Sequence, residues 1–183
     1  MPDAASEAAA GRAHALAASV REEDVLLVLL SGGASSLWAA PAGIDLETKT
    51  ALTRGLLKSG ADIHEMNTVR RHLSRIKGGR LAKAAYPAKL LTLAISDVPG
   101  DVPEAIGSGP TVADAKTLSD ARAVLEKYHI APPDAIARAL QDPANETLKP
   151  GDKELSAARF VIVARPRAAL DAAARLTEAR GYK

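Results

Sequence analysis

The chain contains no cysteine. Disulfides, thiolate metal sites and cysteine nucleophiles are therefore excluded. Aromatic residues make up only 3% of the 183 positions. Stacking platforms for single-stranded nucleic acid are missing, and the core must be aliphatic, with alanine-rich helices approaching closely. No long hydrophobic run occurs: the longest clear one, Val25 to Leu30, is far too short to cross a bilayer. Charge of one sign is not in excess, with 24 Lys and Arg against 22 Asp and Glu. That balance argues against a nucleic-acid partner, which usually selects a strong basic surplus. His14, His64, His72 and His129 show no metal-ligand spacing with one another. The first residues lack the basic, apolar, small-residue order of a signal peptide. A soluble, cytoplasmic protein with no membrane partner is the expectation.

What is present alternates between two periodicities. Residues 3–20 read as a helix capped by Asp3, and 24–30 as a strand whose continuous apolar run predicts burial on both faces. Asp45 caps a helix over about 46–58 that ends at Gly60. A helix beginning at Asn67 follows, then a short one near 79–85 and a second buried strand from Ala88 to Ile95. Val98 to Asp114 is rich in Gly and Pro and reads as a long irregular loop. Helices near 117–128 and 133–140, a polar linker at 142–156, a strand from Phe160 to Ala164 and a helix over about 167–180 complete the pattern. Strands alternating with helices imply an α/β fold: a three-layer, Rossmann-like sandwich with a mainly parallel sheet. Three strands are few for this length, and the pattern reads as cut at both ends.

Four segments carry chemistry. In the first, Val69, Leu73 and Ile76 recur at helical spacing as an apolar stripe, and Asn67, Arg70, Arg71 and Ser74 fall opposite. That polar face, running on to Lys77, suits a carboxylate or phosphate, because Arg offers a planar fork of donors. Periodicity alone favours a solvated basic face. His72, on the flank, reads as an acid–base group or as a packing histidine. The second segment is Ser31-Gly32-Gly33-Ala34-Ser35-Ser36, directly after the first strand. Glycines there let backbone N–H groups approach an anion at the carboxyl end of a parallel strand. Neither a Walker loop nor a dinucleotide fingerprint is present. The third is Asp97 and Asp101 around Val98-Pro99-Gly100, a carboxylate pair for Mg²⁺ or a turn cap with a solvated acid. The fourth is Ser108-Gly109-Pro110-Thr111 with Asp114, a hydroxyl-bearing loop or a tight turn.

Together these segments closely resemble the glycerate 2-kinases of the MOFRL-associated type, many of which carry the label hydroxypyruvate reductase. The resemblance rests on Gly60 through Ser74 running into Lys77-Gly78-Gly79-Arg80, on the Ser31–Ser36 loop with Ala34 in place of a third glycine, on Ser96-Asp97-Val98-Pro99-Gly100-Asp101, and on Ser108-Gly109-Pro110-Thr111. It implies transfer of the γ-phosphate of ATP to the 2-hydroxyl of D-glycerate, with Mg²⁺. Ser31, Gly32, Gly33, Ser35 and Ser36 would cradle phosphate, with Ser108, Gly109 and Thr111 closing the site. Arg70, His72 and Lys77 would be catalytic, Asn67 and Arg70 would hold substrate, and Asp97 and Asp101 would assist the metal. Family members begin upstream, with a strand, a Gly-Lys-Ala segment and a His-Pro-x-Pro-Asp stretch, and continue into a smaller C-terminal domain. The resemblance thus implies that residues 1–183 form part of the larger N-terminal domain, weakly active alone and prone to self-association or to pairing with a complementary domain. A dinucleotide-dependent hydroxypyruvate reductase and a non-catalytic anion-binding remnant are the alternatives.

Overall fold

The structure, a computed structural model, describes residues 2–182. Its elements run α1 (Ala4–Ser19), β1 (Val25–Leu30), α2 (Ala34–Leu37), α3 (Leu46–Lys58), α4 (Ile63–His72), α5 (Arg80–Ala85), β2 (Lys89–Ile95), α6 (Leu118–Lys127), α7 (Asp134–Ala139), β3 (Ala158–Ala164) and α8 (Pro166–Ala179). The three strands form one open parallel sheet in the order β1-β2-β3, flanked by helices. Val25 pairs with Lys89 at one end of the first ladder and Leu30 with Ala94 at the other. The fold is α/β, as the alternation predicts. The long loop after β2 is irregular apart from single 3₁₀ turns at Pro99–Asp101 and Ile106–Ser108.

Two apolar clusters hold the chain together. One covers a face of the sheet: Val28, Leu30, Leu90 and Ala94 pack with Ala10 and Ala17 of α1 and Leu81, Ala82 and Ala85 of α5. Alanine on both helices lets them approach the strands and each other closely. The other is helical, formed by Leu52 and Leu56 of α3, Met66 and Val69 of α4, Leu125 of α6 and Ile136 of α7.

The expectation that β1 is covered on both faces is corrected. Its exposure alternates, and Val25, Leu27 and Leu29 stand open to solvent, Leu29 at 71%. Ile95, Val161 and Val163 of the neighbouring strands are exposed as well. A continuous apolar run does not distinguish two-sided from one-sided burial, and among the described residues only one side of the sheet is packed. Helix α8 contains no buried residue, and its Leu170 and Leu176 are exposed.

The helix expected from Asn67 starts earlier and stops sooner. Asp62 is its N-cap, accepting from His64 N and Glu65 N at 2.8 and 2.9 Å, and Glu65 reaches back to Asp62 N. This is a reciprocal capping box, with Asp in the Ser/Thr position. The helix stops because the next residues pair with a different segment. Ser74 bridges Pro41, Ala42 N donates to Leu73 O, and Arg75 N donates to Ala40 O. Ile76 is therefore buried with the sheet cluster, while Val69 and Leu73 belong to the helical one.

Candidate functional site

The turn after β1 lies between the two clusters. Gly33 adopts φ 85°, a left-handed conformation that favours glycine, and α2 is a single turn behind it. Gly32 is constrained by space: a Cβ there would lie 2.9 Å from Asp97 Oδ2. β1 and β2 are adjacent and parallel, so the turn after one strand meets the acid after the other.

Two cations bond to this turn and a third stands beside them. Arg70, in the last turn of α4, donates from Nη2 to Ser35 O at 2.8 Å and from Nη1 to Asn67 Oδ1 at 3.1 Å. Lys77 donates from Nζ to Ser35 O at 2.8 Å and to Gly107 O at 3.2 Å. Lys49 of α3 donates to Leu73 O at 2.5 Å and to Arg70 O at 3.4 Å, capping the carboxyl end of α4. The hydroxyls of Ser35 and Ser108 meet at 2.6 Å and tie the turn to the later loop.

Ser35, Ser36, Lys49, Arg70 and Lys77 line a cavity of about 290 Å³. Among the described residues none of its three cations has a carboxylate partner. Burial, with Arg70 and Arg80 nearby, pushes the Lys49 ammonium down to about 7. Burial, with Lys49 and Arg70 nearby, holds Lys77 well below the usual lysine range, and burial also lowers Arg70. Positive charge that is buried without a counter-charge is costly, and an entering anion relieves the cost. A second cavity of about 340 Å³ adjoins the first through the shared residues Ser35 and Ile63, and Ser31, Gly33, Asn67 and Asp97 line it.

Ser31, Gly32, Gly33, Ser35, Ser36, Asn67, Arg70, Lys77, Asp97 and Ser108 are thus gathered around the turn. Other residues expected there are not. His72 is fully buried, with Nδ1 on Thr68 O at 2.8 Å and Nε2 on Glu146 Oε1 at 2.9 Å, and it lines neither cavity. Thr111 is buried with its hydroxyl on that of Thr92 at 2.7 Å, against the sheet. Gly109 has φ 63° and accepts from Gly79 N at 2.7 Å, a packing position with Glu104 Cα 3.1 Å from where a Cβ would sit. Asp101 is engaged by Arg165 at 3.1 Å and does not line the cavity that holds Asp97. Arg71 diverges from Arg70 and forms a buried ion pair with Asp114 at 2.9 Å, because successive helical residues point about 100° apart. Among the described residues no group of three acidic or histidine side chains could hold a metal ion.

Sequence reasoning overlooked Lys49 and Arg80. Lys49 stands three and seven residues before Leu52 and Leu56, inside the apolar stripe of its helix, and a cation on a buried stripe was the available signal. Arg80 donates to Ser74 O at 2.6 Å and Ala144 O at 2.8 Å, stapling two loops behind the cavity.

The chain is 51% identical to a "Putative hydroxypyruvate reductase" of Agrobacterium vitis over 95% of its length and 39% of that protein. It is 40% identical to the D-glycerate 2-kinase of Thermotoga maritima, over 100% of this chain and 42% of the relative. The crystal structure of a Thermotoga maritima glycerate kinase superposes with a TM-score of 0.88 at 41% identity, covering all of this chain and 43% of that one. The chain spans less than half the length of these relatives. Residues 1–141 match the family described as "Domain of unknown function (DUF4147)", and the chain belongs to that family.

Proposed function

We propose that this chain supplies the substrate-holding part of an ATP-dependent kinase that phosphorylates the 2-hydroxyl of D-glycerate. The observation that carries the reading is that Lys49, Arg70 and Lys77 border one cavity, lined elsewhere mostly by apolar side chains such as Trp38, Leu57 and Met66, and that none of the three has a carboxylate partner among the described residues. A small carboxylate is the neutralising ligand such a chamber suits. The kinase names and the structural likeness of the relatives support the choice of glycerate.

In this reading the glycerate carboxylate rests on Arg70 and Lys77, which orient the 2-hydroxyl. That oxygen bonds to the γ-phosphorus of ATP, the bond to the β–γ bridging oxygen breaks, and ADP leaves while the hydroxyl proton is released. Phosphoryl transfer depends chiefly on positioning and on charge neutralisation. Ser31, Gly33 and Ser35 border the second cavity, where phosphate would lie. Mg²⁺ fits there in one respect: Asp97 stands beside the glycine turn, and this ion is commonly held by one or two carboxylates plus substrate phosphates. Asp97 would hold it and the ion would offset phosphate charge. Asp101, paired with Arg165, is a weaker ligand.

Isothermal titration of the chain with D-glycerate, ATP–Mg²⁺ and NADH tests this. Binding of the first two supports the kinase reading. NADH binding without ATP binding would favour the reductase reading raised by the Agrobacterium vitis name, and binding of simple anions alone would favour the remnant.

A further inference from the structure

Lys49 is the least expected member of the cationic chamber. It lies on α3, the helix preceding α4, 7% exposed, in a stripe otherwise made of leucine. A buried lysine could serve only to cap a helix, and its bonds to Leu73 O and Arg70 O do cap α4. Two further facts go beyond that role. Its side chain borders the same cavity as Arg70 and Lys77, and an ammonium has three N–H donors, of which two have acceptors here. The charged groups around it are also all of one sign: Arg70 from α4, Lys77 from the segment after it, and Arg80 from α5. A helix cap needs no such company, whereas an anion site does.

We infer that Lys49 is a third anion-holding group of the chamber, directing its free N–H at the carboxylate or phosphate that Arg70 and Lys77 also grip. The inference rests on the anion-binding part of the proposed function and not on the phosphoryl transfer. It has a consequence that Arg70 does not share and that Lys77, likewise lowered by burial, does. Burial beside like charges holds the Lys49 ammonium near neutrality, so near pH 7 to 8 a substantial fraction is deprotonated in the empty chamber. An anion restores the charge, and binding takes up protons from solvent at this residue as well as at Lys77, so the Lys49 share is the part that a Lys49 substitution removes. Anion affinity therefore falls as pH rises from about 7 towards 9.

Titration calorimetry of the chain with D-glycerate, and separately with inorganic phosphate, tests the inference. Measurements at pH 7.5 in two buffers of different ionisation heat give the proton uptake. The wild type should take up a fraction of a proton on binding either anion. Lys49→Met should bind at least tenfold more weakly and lose much of that uptake. Lys49→Arg stays charged and keeps donors for the two carbonyls. It should bind within a few-fold of wild type with the uptake reduced, and it decides the matter if the methionine variant does not fold. Equal binding by wild type and Lys49→Met, or uptake undiminished in Lys49→Arg, would overturn the inference and leave Lys49 a helix cap. Phosphate binding with this signature but no D-glycerate binding would uphold the inference and refute the glycerate reading. Failure of both anions to bind would overturn the inference.

Discussion

Arg70 and Lys77 donate to one acceptor, the carbonyl oxygen of Ser35, at 2.8 Å each. Two cations from different segments are thereby held at one point on the turn, and neither is neutralised there. The shared acceptor makes their contributions interdependent. Arg70→Met and Lys77→Met should each lower D-glycerate affinity by tenfold or more, about 1.4 kcal/mol or greater. The double variant should lose less than the sum, because residues sharing a partner couple. Arg70→Lys keeps the charge but not the fork and should recover only part of the loss. A calorimetric double-mutant cycle measures all of these, and strict additivity would argue that the two side chains act on separate ligands.

Glu146 makes the fold sensitive to acid. Burial raises its carboxyl, but bonds from Lys149, Leu118 N and His72 outweigh this and bring it down to about 2. A carboxyl lowered in the folded state contributes stability that is complete above its unfolded value near 4.5 and is lost as pH falls towards 2. Glu146→Gln should therefore destabilise the protein at pH 7 and flatten the fall in stability between those two values. Urea unfolding at a series of pH values reads both effects, and an unchanged acid limb would show that other groups dominate it.

Gly78 and Gly79 have φ values of 59° and 79°, and both lie against side chains. A Cβ at Gly78 would sit 2.4 Å from Thr147 Cγ2, and one at Gly79 would sit 2.8 Å from Leu148 Cβ. Alanine adds a strained backbone of about 1 kcal/mol and an overpacking cost of about 1–3 kcal/mol. Each variant should lose about 2–4 kcal/mol, a fall in Tm on the order of 4–16 °C at this chain length. Gly60→Ala, with a positive φ but no neighbour within 4 Å, should lose only the smaller backbone share, so calorimetric scans of the three separate strain from crowding.

The open face of the sheet carries Leu27, Leu29, Val161 and Val163. Contiguous exposed apolar surface promotes association. Sedimentation velocity should show self-association that grows with concentration. Replacing Leu27 and Leu29 by lysine should reduce it while leaving stability nearly unchanged, since neither side chain is packed. A stable monomer at all concentrations would refute this.

The parallel sheet and most of the helices were legible because each rests on local pattern: a capped start at Asp3 and Asp45, continuous apolar strands, and glycines at the ends. What failed depended on partners distant in sequence. Nothing near Asn67 says that Ser74 will pair with Pro41 and cut the helix, though Asp62 and Glu65 did mark its true start. Nothing beside Thr111 foretells Thr92, and nothing beside His72 foretells Glu146, 74 residues later. Adjacent Arg70 and Arg71 looked equivalent in one polar face, and only the tertiary acceptors, Ser35 O for one and Asp114 for the other, separate them. Lys49 was readable in principle as a charge on a buried stripe.

The segment after Lys77 is joined to the later hydroxyl-bearing loop main chain to main chain: Gly78 N to Ser108 O, Gly79 N to Gly109 O and Leu81 N to Pro110 O. These crosslinks make the two stretches one mechanical piece, although some thirty positions separate them along the polypeptide. A ligand that stiffens one must quieten the other, and slowed deuterium exchange at the amides of Gly78, Gly79 and Leu81 would register an occupant anywhere along that seam.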